Sequence, residues 1–83
     1  MTSRYEYDPD VNALYIHLRD EPYAFGENLD NSRRIDYAAD KKPIGIELLN
    51  VHRGVRLDHL PERDLVTKVL QDCHIKVFAS PRH

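Results

Sequence analysis

The sequence predicts an α+β domain: an antiparallel sheet of two tandem β-hairpins, four to five strands in all, with one C-terminal helix packed on one face. Three observations predict it. Two stretches alternate polar and apolar residues on either side of a turn. A third, near the C-terminus, repeats apolar residues at helical spacing. A length of 83 residues leaves room for a single domain spanning 1–83 with one core.

Arg4-Tyr5-Glu6-Tyr7-Asp8 alternates charged and aromatic residues. Asp8-Pro9-Asp10-Val11-Asn12 then supplies turn chemistry, because Pro fixes one φ while Asp and Asn bond nearby backbone. Ala13 to Arg19 alternates again. Opposing Tyr7 to Leu14 sets Tyr5 against Ile16 and Ser3 against Leu18, so the large apolar groups share one face. Glu6 then opposes Tyr15, and Arg4 opposes His17, on the other face. A slip of one residue would turn the apolar set into water, which selects this register.

Asp20 to Asn31 has no sustained period. With Pro22, Gly26 and the acids Asp20, Glu21, Glu27 and Asp30, it reads as a connecting loop with room for a short edge strand. Arg33 to Ala38, the turn Ala39-Asp40-Lys41-Lys42 and the strand Pro43 to Leu49 form the second hairpin. Opposing Tyr37 to Ile44 sets Ile35 against Ile46, Asp36 against Gly45, and Arg34 against Glu47 as a cross-strand ion pair. Pro43 has no N–H to donate and belongs at a strand start or on an unpaired side.

Residues 50–60 read as a second connector. Pro61 to Asp72 reads as a helix, with Pro in its first turn and acids at its positive end. Leu65, Val66, Val69, Leu70 and Cys73 make one stripe along it, which requires the apolar face of the hairpins as partner. His74 to Phe78 returns to period two and reads as a final strand.

Composition narrows the function classes. The chain is 41% hydrophobic and 31% charged, with a formal net charge of −2, as expected of a folded domain. The first fifty residues carry more acids than bases, against a phosphate-tracking surface, so no nucleic-acid partner is expected. No apolar run is long enough for a membrane helix, and Met1 to Tyr5 opens without a signal-peptide core. A single cysteine cannot form an internal disulfide. A cytoplasmic protein without a membrane partner is expected.

The stretch Tyr7-Asp8-Pro9-Asp10-Val11-Asn12-Ala13-Leu14-Tyr15-Ile16-His17-Leu18, followed by Ile35-Asp36-Tyr37 and Ile44-Gly45-Ile46-Glu47-Leu48-Leu49, resembles the small prokaryotic family known as domain of unknown function 2283. The resemblance covers residues 7–49. It implies a compact antiparallel sheet of tandem hairpins and no catalytic set. It also implies an antitoxin-like role as an alternative, since members are sometimes encoded beside small proteins resembling RelE-type ribonuclease toxins. The family's second hairpin usually turns on Asp-Gly. Lys41 stands in the Gly place here, which argues against a two-residue type I′ turn.

Five groups of residues compete as sites. Asp8-x-Asp10-x-Asn12 imitates the start of a calcium loop, but Ala13 and Arg19 stand where Gly and Glu are needed, so an Asx-stabilised turn explains it. His17, His52, His59, His74 and His83 show no metal-ligand spacing, although His52, Asp58 and His59 could meet in one connector as a small metal or enzyme site. Asp36 and Glu47 are the natural acid–base pair, yet Glu47 opposes Arg34. Cys73 belongs to the helix stripe, where burial leaves a thiol inert. Tyr15, His17, Arg19 and Arg4 share the outer face with Glu6, a mixture that suits a protein interface. The sequence therefore points to a non-enzymatic domain without cofactor that acts through protein contacts and self-associates as a homodimer or higher oligomer. Glu6, Tyr15, His17 and Arg19, or the free sheet edge, form its surface. The alternative partner is a small basic toxin met by the acidic segment Asp20–Asp30.

Overall fold

A computed structural model describes residues 4–78. The elements in chain order are β1 (Tyr5–Asp8), β2 (Ala13–His17), β3 (Phe25–Asn28), β4 (Arg33–Tyr37), β5 (Pro43–Leu48), a 3-10 turn (Val51–Arg53), β6 (Val55–Arg56), α1 (Arg63–Asp72) and β7 (Val77–Phe78). The first five strands form one antiparallel sheet in the order β1-β2-β5-β4-β3, and α1 packs on one of its faces. No helix among the described residues is long and apolar enough to cross a membrane.

The first hairpin has the expected register: Tyr5 faces Ile16, Glu6 faces Tyr15 and Tyr7 faces Leu14. The His17 N–H donates to the Arg4 carbonyl at 3.0 Å, extending the ladder one residue. Ser3, expected opposite Leu18, lies outside the described residues. The Asp8 carboxylate accepts the Asp10 N–H at 3.0 Å, so the acidic turn is an Asx turn. Asn12 closes it at φ 57°, a conformation Asn tolerates better than most residues.

The second hairpin departs from expectation at one point. Ile35–Ile46, Asp36–Gly45 and Arg34–Glu47 are opposed, but Tyr37 pairs with Pro43 instead of Ile44, with an irregularity at Asp36/Tyr37. The turn explains the shift. The Lys41 N–H donates to the Ala38 carbonyl at 2.9 Å, the Ala38 N–H donates to the Lys42 carbonyl at 3.0 Å, and Lys41 sits at φ 68°. A three-residue loop closed by a left-handed residue replaces the two-residue turn. It leaves an extra residue on β5, which starts at Pro43, where the missing donor costs nothing. Part of the 20–31 connector is an edge strand, with Gly26 opposite Asp36 and Phe25 opposite Tyr37.

The C-terminal third differs more. The helix starts at Arg63, because Glu62 lies at φ 54° and cannot belong to it. It ends in a Schellman motif with His74 at φ 58° where Gly is usual. The Ile75 N–H donates to the Leu70 carbonyl at 2.9 Å and the His74 N–H to Gln71 at 3.1 Å. Ile75 is thereby folded into the core, and His74 to Lys76 are not strand. Only Val77 and Phe78 are extended, paired in parallel with β6 in a small separate sheet.

The core joins Leu14 and Ile16 of β2 and Ile46 and Leu48 of β5 to Val66, Val69 and Leu70 of α1. Each such side chain contributes about 1.5–3 kcal/mol on burial. Leu65 and Cys73 of the predicted stripe sit at its half-buried margins. Arg33 points to this same side, beside Leu48, and is 7% exposed. Its Nε donates to Asp30 Oδ2 at 2.9 Å, and its Nη1 donates to the carbonyls of Asp58 at 2.7 Å and Arg56 at 3.0 Å. A buried guanidinium is tolerable only when so satisfied, and here it fastens the sheet to the 54–60 connector.

Arg33→Ala is expected to cost about 2–4 kcal/mol in urea denaturation, since the Asp30 carboxylate, the Asp58 carboxylate 3.5 Å from Nη1 and two carbonyls lose a donor. His74→Gly is expected to raise stability by about 1 kcal/mol in the same assay, by relieving a left-handed residue with a side chain.

Candidate functional site

The register dictates what meets on the uncovered face. Glu6, Tyr15, Glu47, Arg34 and Asn28 form one cross-strand row, while His17, Gly45, Asp36 and Gly26 form the next. In the second row, two of the four positions are glycine. Long side chains from the first row lie across those gaps.

Tyr15 crosses Gly45, where a Cβ would collide with its ring and hydroxyl. Its hydroxyl donates to Asp36 Oδ2 at 2.9 Å. Arg34 crosses Gly26, where a Cβ would run into the guanidinium. Its Nε donates to Asp36 Oδ1 at 3.1 Å and its Nη2 to the Tyr23 hydroxyl at 2.7 Å. Asp36 thus anchors a tyrosine with one oxygen and an arginine with the other. The His17 ring meets Tyr15 edge-on, with centroids 4.9 Å apart, and its Nε2 lies 3.6 Å from Glu6 Oε2. Glu6, His17, Tyr15, Asp36, Arg34 and Tyr23 form one connected set, drawn from β1, β2, β4 and the β2–β3 connector and passing over β5 at Gly45.

Burial pushes the Tyr15 phenol far above its usual range, and donation to the Asp36 carboxylate pushes it further. Asp40 is held below the usual carboxylate range by its bond to Arg19. Burial pushes the Cys73 thiol up, as suits a packing residue.

Of the residues expected to form the surface, Glu6, Tyr15 and His17 come together. Arg19 does not join them. The Lys42 N–H fixes the Asp40 carboxylate at 3.0 Å in the hairpin turn, and Arg19 is drawn there in a two-pronged pair at 3.0 and 3.3 Å. The expected Arg34–Glu47 ion pair is also corrected: the two positions are opposed, but the furrow over Gly26 leads the guanidinium to Asp36 and Tyr23.

Asp36 and Glu47 make no acid–base pair in this geometry, since Asp36 is spent on Tyr15 and Arg34. Nor do His52, Asp58 and His59 converge. Asp58 accepts from Arg56 Nε and Nη2, both at 3.1 Å, while His59 stays 3.9 Å away. Arg33 and Arg56 hold the Asp58 carboxyl low against the opposing effect of burial. Among the described residues no three His, Cys, Asp or Glu side chains are grouped to hold a metal. His83 lies outside the described residues.

Sequence reasoning missed the Tyr15–Asp36–Arg34–Tyr23 chain. Gly45 was its available signal, because glycine inside a strand marks a close approach by another group.

Fold and surface together define a small two-layer α+β domain, with one sheet face covered by α1 and the other left uncovered by the described residues. The family described as protein of unknown function (DUF2283) matches residues 4–52, and the chain belongs to that family. No curated protein and no solved structure matches it.

Two outcomes follow from the Tyr15 geometry. A phenol raised in the folded state stabilises the fold fully below its unfolded value near pH 10, and that contribution is lost as pH climbs beyond. Denaturation at rising alkaline pH should therefore show wild type losing stability, with Tyr15→Phe losing less. Gly45→Ala should displace Tyr15 and cost about 1–3 kcal/mol in urea melts at neutral pH.

Proposed function

We propose that this chain is a non-enzymatic contact domain that associates with itself in the cytoplasm. The observation that carries the reading is the bare sheet face, on which a tyrosine, an arginine and a histidine are already fixed by hydrogen bonds and packing. Tyr and Arg are enriched where interfaces hold their binding energy, and side chains ordered beforehand lose little entropy on docking. A domain this small also gains from burying more surface than one copy can. The lone Cys73 is in keeping with a reducing compartment.

A second reading is supported by the acidic side of the molecule. Asp20, Glu21 and Glu27 are exposed near the β3 edge. They would suit a small basic partner, such as a toxin of the RelE type in an antitoxin-like role.

Sedimentation equilibrium over a wide concentration range tests the first reading. A mass that rises from one to two chains with concentration is the expected result, and a single-chain mass throughout would sink it. A basic partner would instead be captured by the monomer and released steeply by salt.

A further inference from the structure

The geometry points to a second copy of this chain docking on the free edge of β1, antiparallel and centred on Tyr5, with Arg4 of each copy facing Glu6 of the other; this rests on the self-association proposed above. β1 is the last strand on its side of the sheet among the described residues. The Arg4 carbonyl accepts from β2, and Glu6 and Asp8 oppose Tyr15 and Ala13. By antiparallel alternation, the main-chain N–H and C=O groups of Tyr5 and Tyr7 point off the edge. They form an unpaired row onto which a strand can add.

Side-chain alternation and charge choose among the registers. A two-fold axis perpendicular to the sheet keeps the helix-covered face continuous only if odd positions pair with odd and even with even. Centring on Glu6 sets Tyr5 against Tyr7 and Arg4 against Asp8, but opposes the two Glu6 carboxylates at the axis, a like-charge pair that centring on Tyr5 avoids. Centring on Tyr7 opposes Glu6 to Asp8. Centring on Tyr5 lets the two tyrosines exchange both backbone bonds and opposes Glu6 to Arg4 twice. Opposite charges directly across a seam stabilise it, and like charges destabilise it.

Arg4 is exposed, and the Glu6 side chain is 79% exposed, so both are available to a partner. The pairs would extend rows already present: Glu6 opposes Tyr15, and Arg4 lies across from His17.

The opposite edge lacks this complementarity. β3 carries Gly26 beneath the Arg34 guanidinium, and Glu27 sits on the helix-side face opposite Ile35. Pairing two β3 strands about Gly26 crowds two guanidiniums, and pairing them about Glu27 opposes two carboxylates. Inward charges of this kind protect an edge from addition.

The test uses sedimentation equilibrium on the full chain with R4E, E6R and the double variant R4E/E6R, each checked for native circular dichroism. Each single variant should weaken the dimer by about tenfold. The double variant should recover wild-type affinity, and an equimolar mixture of R4E with E6R should form a mixed dimer. Dimers of unchanged affinity in both single variants, or weakening that neither the double variant nor the mixture reverses, would overturn the β1 edge while leaving self-association standing. A wild type that stays monomeric would overturn both.

Discussion

Strand β5 has a hydrogen-bonded neighbour on each side, a helix beneath it and a tyrosine ring above it, and the rest of the structure is arranged around that burial. Its Ile46 and Leu48 are fully buried against α1, while Gly45, next to Ile46 and facing the other way, lies under Tyr15. A central strand must satisfy both layers at once. Large aliphatic residues fill the core on one side, and the absence of a side chain admits Tyr15 on the other. Pro43 is confined to the start of the strand by the same logic, because a central strand has no spare place for a residue without an N–H.

The polar layer above β5 is ordered by side chains lying along the sheet. Two glycines, in β5 and β3, give Tyr15 and Arg34 room to lie down, and Asp36 between them receives both. The result is a face whose polar groups are bonded to one another within the chain itself. That distinguishes it from a merely solvated sheet surface, where long side chains keep their rotamer freedom.

Turn conformation is where this chain is strained. Asn12, Lys41, Asn50, His59, Glu62 and His74 all have positive φ without being glycine. Each such residue other than Asn costs on the order of 1 kcal/mol relative to Gly. A domain of this size has little stability to spare. The core stripe on α1 and the Arg33 clamp offset that cost, and the clamp is local: it holds the connector that carries β6 and leads to the helix.

By itself the sequence determined the elements with a strong period: both hairpins, the faces of β1, β2, β4 and β5, and the apolar stripe of α1. Period and turn chemistry are local, so they survive without knowledge of the partner surface. The family was legible too, because its two segments are contiguous runs of residues. Only the tertiary structure decided that β5 lies beside β2, that Tyr37 slips to Pro43, and that His74 ends the helix and folds Ile75 inward. It also decided where the long polar side chains go. Register opposed Arg34 to Glu47, yet a guanidinium on a flexible stem reaches several acceptors. The choice fell to Asp36 and Tyr23 because a glycine on the next strand left the path open.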